Sequence, residues 1–172
     1  MSKIILITGC PGCGKSTIGQ ALAKQFPSGV HLRVDAIRES MVSGFAPPGE
    51  WTPEAKQQFR LAREVATYWA RTYAAEGIDV VIDDVCIPEL FTEHYAALFA
   101  QPNVQRVLLN PSREVLAERI TQRGGPYAEF FVQRGIPYVT GLIEAMPKQG
   151  WIVVDSSVQT VEQTLQVVLD QL

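Results

Sequence analysis

The chain has 172 residues and a mass of 19.0 kDa, with 47% hydrophobic side chains, 19% charged side chains and a mean hydropathy of +0.05. Those values exclude a disordered chain, a collagen and a coiled coil, and no apolar run approaches the ~20 residues of a membrane span. The net charge of −3 is not the basic excess of a general nucleic-acid binder. At roughly 150 residues per domain, one domain over 1–172 is expected. The three cysteines, Cys10, Cys13 and Cys86, have no framework spacing, which points to a reducing compartment. The N-terminus lacks the apolar region of a signal peptide, so a cytoplasmic protein is expected.

In chain order, Ile4 to Thr8 predicts a strand buried on both faces. Ile18, Ala21, Leu22, Gln25 and Phe26 follow helical spacing up to Pro27. Val30 to Val34 predicts a second strand, and Ala36 to Val42 a short helix. Gly44 to Pro53 is rich in Pro and Gly and predicts a loop. Phe59, Ala62, Ala66, Trp69 and Tyr73 mark one face of a long helix ending near Gly77. Asp79 to Asp83 predicts a strand, Leu90 to Phe99 a helix and Val104 to Leu109 a strand. Asn110-Pro111 then reads as an N-cap with Pro at the first helical position, and Gly124-Gly125 closes that helix. Trp151 to Val154 predicts the last strand, and Val161, Leu165, Val168 and Leu172 a C-terminal helix. Apolar strands alternating with helices imply a parallel sheet of about five strands covered on both faces. Ligands of such sheets bind at the carboxyl ends of the strands.

The segment after the first strand matches G-x-x-x-x-G-K-[ST] in full: Gly9-Cys10-Pro11-Gly12-Cys13-Gly14-Lys15-Ser16. The glycines Gly9, Gly12 and Gly14 let backbone amides wrap a phosphate, and the helix start adds partial positive charge. Lys15 can reach the β- and γ-phosphates, and Ser16 offers a hydroxyl to Mg²⁺. Cys10 and Cys13 also form a C-x-x-C at a helix start, a position that lowers a thiol pKa. The phosphate loop accounts for every glycine, so the cysteines are expected to be small tolerated residues there.

Asp35 follows the second strand, where a carboxylate can take a proton from an attacking hydroxyl, or cap the helix that follows. Arg38 lies one helical turn later and can hold an acceptor. Asp83 and Asp84 end the third strand in the way of a Walker-B segment, where one acid serves Mg²⁺ and the other faces the acceptor or caps a helix. Adjacent residues of a strand point to opposite sides, and spacing leaves open which acid does which. Arg119 and Arg123 share a helix face ahead of Gly124-Gly125, and Arg134 follows in a stretch expected to be irregular. Such arginines stabilise charge on a transferring phosphoryl, and a glycine hinge lets a lid close over it. The alternative is a solvated face with Glu114 and Glu118 as partners. Asp155-Ser156-Ser157 can border a base or simply cap a helix. Phe45, Trp51, Arg60 and Arg63 are candidate acceptor-pocket residues, although core packing explains Phe45 and Trp51 equally well.

Together these residues resemble the phosphate-loop kinases, the superfamily of nucleoside-monophosphate, shikimate and gluconate kinases. Gly9 to Thr17, Val34 to Arg38, Ile82 to Val85 and Leu116 to Gly124 are most similar to two groups. One is the chloramphenicol phosphotransferase and zeta-toxin type; the other is the 5′-kinase domain of polynucleotide kinases. The resemblance implies a three-layer α/β/α fold with a five-stranded parallel sheet in the order 2-3-1-4-5. It also implies ATP with Mg²⁺, and transfer to a hydroxyl of a small molecule. On this resemblance the loop from Gly9 to Thr17 holds the nucleotide and Asp35 is the general base. Arg38 binds the acceptor, Arg119 lies by the adenine and Arg123 on the phosphates. The lid falls at about 124–136 and the acceptor elements at about 35–76. Ala36 stands where polynucleotide kinases carry a second Asp, and the net charge of −3 also disfavours a polynucleotide acceptor. A GTPase is disfavoured, since neither Asn-Lys-x-Asp nor an Asp-x-x-Gly after the third strand occurs. A non-catalytic ATP-binding protein is the remaining alternative.

Overall fold

Each apolar run becomes a strand, because β-branched residues fit a pleated surface covered on both sides. The computed structural model describes residues 2–47, 51–86 and 92–172. Strands β1 (Ile4–Thr8), β2 (Gly29–Arg33), β3 (Asp79–Asp83), β4 (Val104–Leu109) and β5 (Ile152–Val154) are all parallel, in the order β2-β3-β1-β4-β5. This is the predicted order. The helices are α1 (Lys15–Ala23), α2 (Val34–Glu39), α3 (Pro53–Ala75), α4 (Ala96–Phe99), α5 (Arg113–Arg123), α6 (Ala128–Phe130), α7 (Ile136–Ala145) and α8 (Val161–Leu169). A 3₁₀ turn at Thr92–Tyr95 leads into α4, and a π-helical turn at Phe131–Gly135 joins α6 to α7.

The pleat divides the core in two. Ile5, Ile7, Val81 and Val107 pack with Leu22 of α1, Leu116 and Ile120 of α5, Ile143 of α7 and Val168 of α8. Ile4, Leu6, Val80 and Ile82 pack on the other face with Ala62, Ala66 and Ala70 of α3 and with Tyr95 and Leu98. Full burial of one such Ile or Leu contributes about 1.5–3 kcal/mol. Central β1 is paired with β3 on one side and β4 on the other, so the loop after it opens between the two halves of the sheet. No helix among the described residues is long and apolar enough to cross a membrane.

Several boundaries differ from expectation. Helix α1 ends at Ala23, not at Pro27, because Gly29 starts β2 against the Ala23 carbonyl, where a Cβ has no room. Helix α2 begins directly on β2, with Arg33 at its N-cap position, so Val34 is helical and not the end of a strand. The Asn110-Pro111 cap is wrong. Asn110 N still donates to Val154 O at 2.8 Å, and the cap falls two residues later at Ser112, which accepts from Val115 N. The stretch around Arg134 is not irregular: Ala128 to Ala145 is helical throughout, with the π turn inside it. Ile136, Val139 and Ile143 carry the helical apolar spacing there and join the core beneath α5. Of the helix expected from Leu90 to Phe99, residues 90 and 91 lie outside the described residues. So do residues 48–50 of the loop from Gly44 to Pro53, whose last residue opens α3 behind the Thr52 cap.

Candidate active site

The carboxyl ends of β1, β2 and β3 open into a cleft of about 1010 Å³. The phosphate loop forms its floor. Gly9 (φ 145°) lies beneath the loop, where an added Cβ would overlap the Leu109 carbonyl of β4 and come 2.7 Å from Cys13 Sγ. A Cβ added at Gly12 (φ 88°) would likewise meet α5, 2.9 Å from Ile120 Cγ1. Gly14 has the same handedness (φ 99°) but faces open space. The loop is therefore clamped from below and empty above, as a phosphate cradle requires. Gly9→Ala is expected to cost about 2–4 kcal/mol, combining overpacking with backbone strain. In a chain of this size that lowers Tm by about 5–15 °C. Gly14→Ala meets only the strain and should lower Tm by less than half as much in the same thermal melt.

Lys15 Nζ lies at the loop, 3.1 Å from Gly9 O and 3.3 Å from Cys10 O. Burial works against its charge, but the acidic groups around it, the Asp35 and Asp83 carboxylates among them, outweigh burial and hold the ammonium above the usual lysine range. Ser16 and Thr17 are exposed to the cleft. The two loop cysteines are buried and free. Burial pushes the Cys10 thiol up to about 12 and raises Cys13 as well, despite Lys15 beside them. Both stay protonated at neutral pH, the reverse of a reactive C-x-x-C pair.

Asp35 sits inside the first turn of α2, so it is not the N-cap that the sequence also allowed. Its carboxylate reaches the cleft. Loss of water at the cleft floor, then repulsion from Asp84 and Asp83, raises its pKa above the usual aspartate value, while Lys15 and Arg38 pull the other way. The consequence for stability has a definite sign. A carboxyl whose folded pKa is raised stabilises the fold only below its unfolded pKa, and that contribution is lost as pH rises through the folded value. Asp35→Asn should therefore raise Tm at pH 7, with the gain shrinking as the melt is repeated toward pH 4.

The two acids at the end of β3 point to opposite sides of the sheet. Asp83 Oδ2 is 2.7 Å from His31 Nε2, on the α1 side. Its Oδ1 has no protein partner among the described residues. Asp84 turns toward α3. Arg63 Nε donates to its Oδ2 at 2.6 Å and Arg63 Nη2 to its Oδ1 at 3.2 Å, and Tyr95 OH donates to Oδ2 at 3.1 Å. Both oxygens of Asp84 are thus engaged, and Asp83 keeps the open one. No ready-made group of three His, Cys, Asp or Glu side chains exists among the described residues. An open carboxylate oxygen in the same cleft as the Ser16 hydroxyl suits Mg²⁺, which keeps waters and takes its other ligands from phosphates.

Arg119, Arg123 and Arg134 all line the cleft. Arg119 Nη2 donates to Ser156 O at 2.8 Å and Nη1 approaches Cys13 O at 3.5 Å, so it ties the phosphate loop to the turn after β5. Their expected carboxylate partners lie elsewhere: Glu118 accepts from Gln122, and Ser112 caps the turn that holds Glu114. Asp155 accepts from Ser157 N and closes its own turn, while Ser156 lines the cleft. On the acceptor side, Arg38 is 5% exposed, stacked 4.4 Å over Phe45 and 4.2 Å over Phe59, with Nη1 donating to Ala46 O at 2.9 Å. Phe45, Trp51 and Arg63 line the cleft, but Arg60 does not. It pairs with Glu64 one turn along α3, at the surface, because its position on the helix turns it away from the sheet. Sequence reasoning missed His31, Tyr95, Phe59 and Tyr127. A histidine within the apolar strand β2 was the one signal available, since the others look like ordinary helix or loop residues.

The profile of the AAA domain matches residues 4–135. No curated protein matches at a significant level. Among solved structures, a sugar kinase from Janibacter sp. HTCC2649 superposes with a TM-score of 0.71 at 19% identity, covering 99% of this chain and 94% of that one. Shikimate kinase from Bacteroides thetaiotaomicron gives 0.66 at 20%, covering 98% and 97%. The tunicamycin resistance protein of Deinococcus radiodurans gives 0.67 at 18%, covering 99% and 95%. At these identities the likeness is one of fold, the five-stranded arrangement of the phosphate-loop kinases.

Proposed function

The chain belongs to the family of AAA domains, and on that premise we propose that it transfers the γ-phosphate of ATP to a hydroxyl of a small molecule. The observation that carries the proposal is one cleft holding a clamped phosphate loop, Asp35 with a raised pKa, and three arginines. The loop amides and Lys15 bind the phosphates, and Arg123 and Arg134 neutralise charge that spreads over the transferring group. Arg119, tied to Ser156, borders the base. Ser16 and the open oxygen of Asp83 would hold Mg²⁺, which supplies charge neutralisation between the phosphates when bound. Asp84, held by Arg63 and Tyr95, shapes the acceptor side next to Arg38. The acceptor oxygen bonds to the γ-phosphorus and its proton passes to Asp35. The bond from that phosphorus to the β-phosphate oxygen breaks, and its electron pair leaves on ADP.

The phosphate acceptors named for the similar structures, a sugar and shikimate, support a small-molecule acceptor over a polynucleotide. Residues 1–172 act in this proposal as one kinase unit, and the buried free thiols suit a reducing cytoplasm.

The test is Asp35→Asn. A general base must be ionised, so wild-type kcat/KM should fall as pH drops through the raised Asp35 pKa. The variant should bind ATP as before, turn over about 10²–10⁴-fold more slowly and lose that acid limb. Normal turnover by the variant would remove Asp35 from the chemistry.

A further inference from the structure

The cleft wall on the acceptor side is made of rings that neither core uses. Phe45 and Trp51 are 39% and 48% exposed. Arg38 bridges Phe45 to Phe59, and Phe59 lies 5.4 Å from Trp51, ring centre to ring centre. Tyr127, from the segment after α5, is 37% exposed and lines the same cleft. Among the described residues, none of the four rings belongs to either hydrophobic cluster. A run of half-open rings inside a cleft gains most from a flat apolar partner.

Charge narrows the partner further. Asp35, Glu39, Asp83 and Asp84 line the same cleft, as do the exposed Arg33 and Arg134. The two buried arginines that could clamp a carboxylate on this side are already engaged. Arg63 forks onto Asp84, and Arg38 lies between two phenyl rings with Nη1 on a backbone carbonyl. Arg38 Nε is buried there without a partner among the described residues.

We infer that the phosphate acceptor is a hydroxyl compound that carries a flat ring and no negative charge. The ring rests on Phe45, Trp51, Phe59 and Tyr127, and the hydroxyl is presented to Asp35. This deepens the kinase reading above and rests on it for the transfer step. Electrons and protons move as written there, with ATP as the phosphoryl donor.

Five probes separate ring from charge: tryptophol (neutral aryl alcohol), thymidine (neutral nucleoside), indole-3-lactate (anionic ring), sorbitol (neutral, no ring) and gluconate (anionic, no ring). Binding is read by calorimetric titration and transfer by ADP release at saturating ATP and Mg²⁺. Tryptophol or thymidine should bind and turn over best, and which of the two leads identifies an aryl alcohol or a nucleoside. Trp51→Leu and Phe45→Leu should each raise the KM of the preferred ring compound about tenfold or more, with the KM for ATP within about twofold of wild type. Both side chains are half open, so neither change threatens folding. Preference for sorbitol, gluconate or indole-3-lactate overturns the inference, as does failure of both neutral ring compounds to bind or an unchanged KM in both variants. Ring binding without ADP release from any probe defeats the kinase reading and leaves ring selectivity intact.

Discussion

Lys15→Ala is expected to lower turnover about a thousandfold while Tm stays within a few degrees of wild type. The two halves of that expectation have different causes. Lys15 Nζ is the one ammonium at the phosphate floor, and its bonds are to Gly9 O and Cys10 O, carbonyls of the loop itself. Removing a charged donor aimed at developing phosphoryl charge costs on the order of 3–4 kcal/mol of transition-state stabilisation. The fold loses little, because the loop is clamped by Gly9 on Leu109 and Gly12 on Ile120, not by the lysine. Losing two charge-assisted bonds is also offset by relief of burying the ammonium. ADP release and a thermal melt on the same preparation check both halves. Turnover within tenfold of wild type would mean that the loop does not hold the transferred phosphate. A collapse in Tm would mean that Lys15 is structural.

The parts legible in the sequence are those specified by near neighbours. β1 and β3 stand out because their central residues face apolar material on either side of the sheet, whichever way they point. The loop from Gly9 to Ser16 is legible because phosphate binding needs glycines and a lysine at fixed spacing, whatever surrounds them. Helix α7 was obscured by Pro126, Gly135 and Pro137, which ordinarily mark irregular chain. Yet the helix runs through them: the π turn at Phe131–Gly135 takes up Gly135 and directly precedes Pro137, the second residue of α7. The Arg63–Asp84–Tyr95 cluster was invisible for another reason. Its members come from α3, the end of β3 and the turn before α4, and no local rule couples residues that only the completed sheet brings together. Arg60 and Arg63 look equivalent in sequence, but one ends at the surface with Glu64 and the other is 1% exposed on Asp84.

That cluster carries the second large effect. Arg63→Met should destabilise the protein by about 3–5 kcal/mol, since it strands the Asp84 carboxylate in the interior with only the Tyr95 hydroxyl against it. At about 2–4 °C per kcal/mol, the melt should move down by roughly 6–20 °C. Adding Asp84→Asn removes the stranded charge, so the double variant should be clearly more stable than the sum of the two single changes allows. Strict additivity would mean that the pair does not couple. The same pair also reaches the chemistry. After burial, Asp84 is the strongest influence raising the Asp35 pKa, and Arg63 neutralises Asp84. Arg63→Met should therefore push the acid limb of kcat/KM to higher pH, and Asp84→Asn alone should pull it lower. A purely structural role would depress activity without moving the limb. Opposite displacements from two changes in one buried pair would tie the pH dependence of the proposed base to the Arg63–Asp84 ion pair.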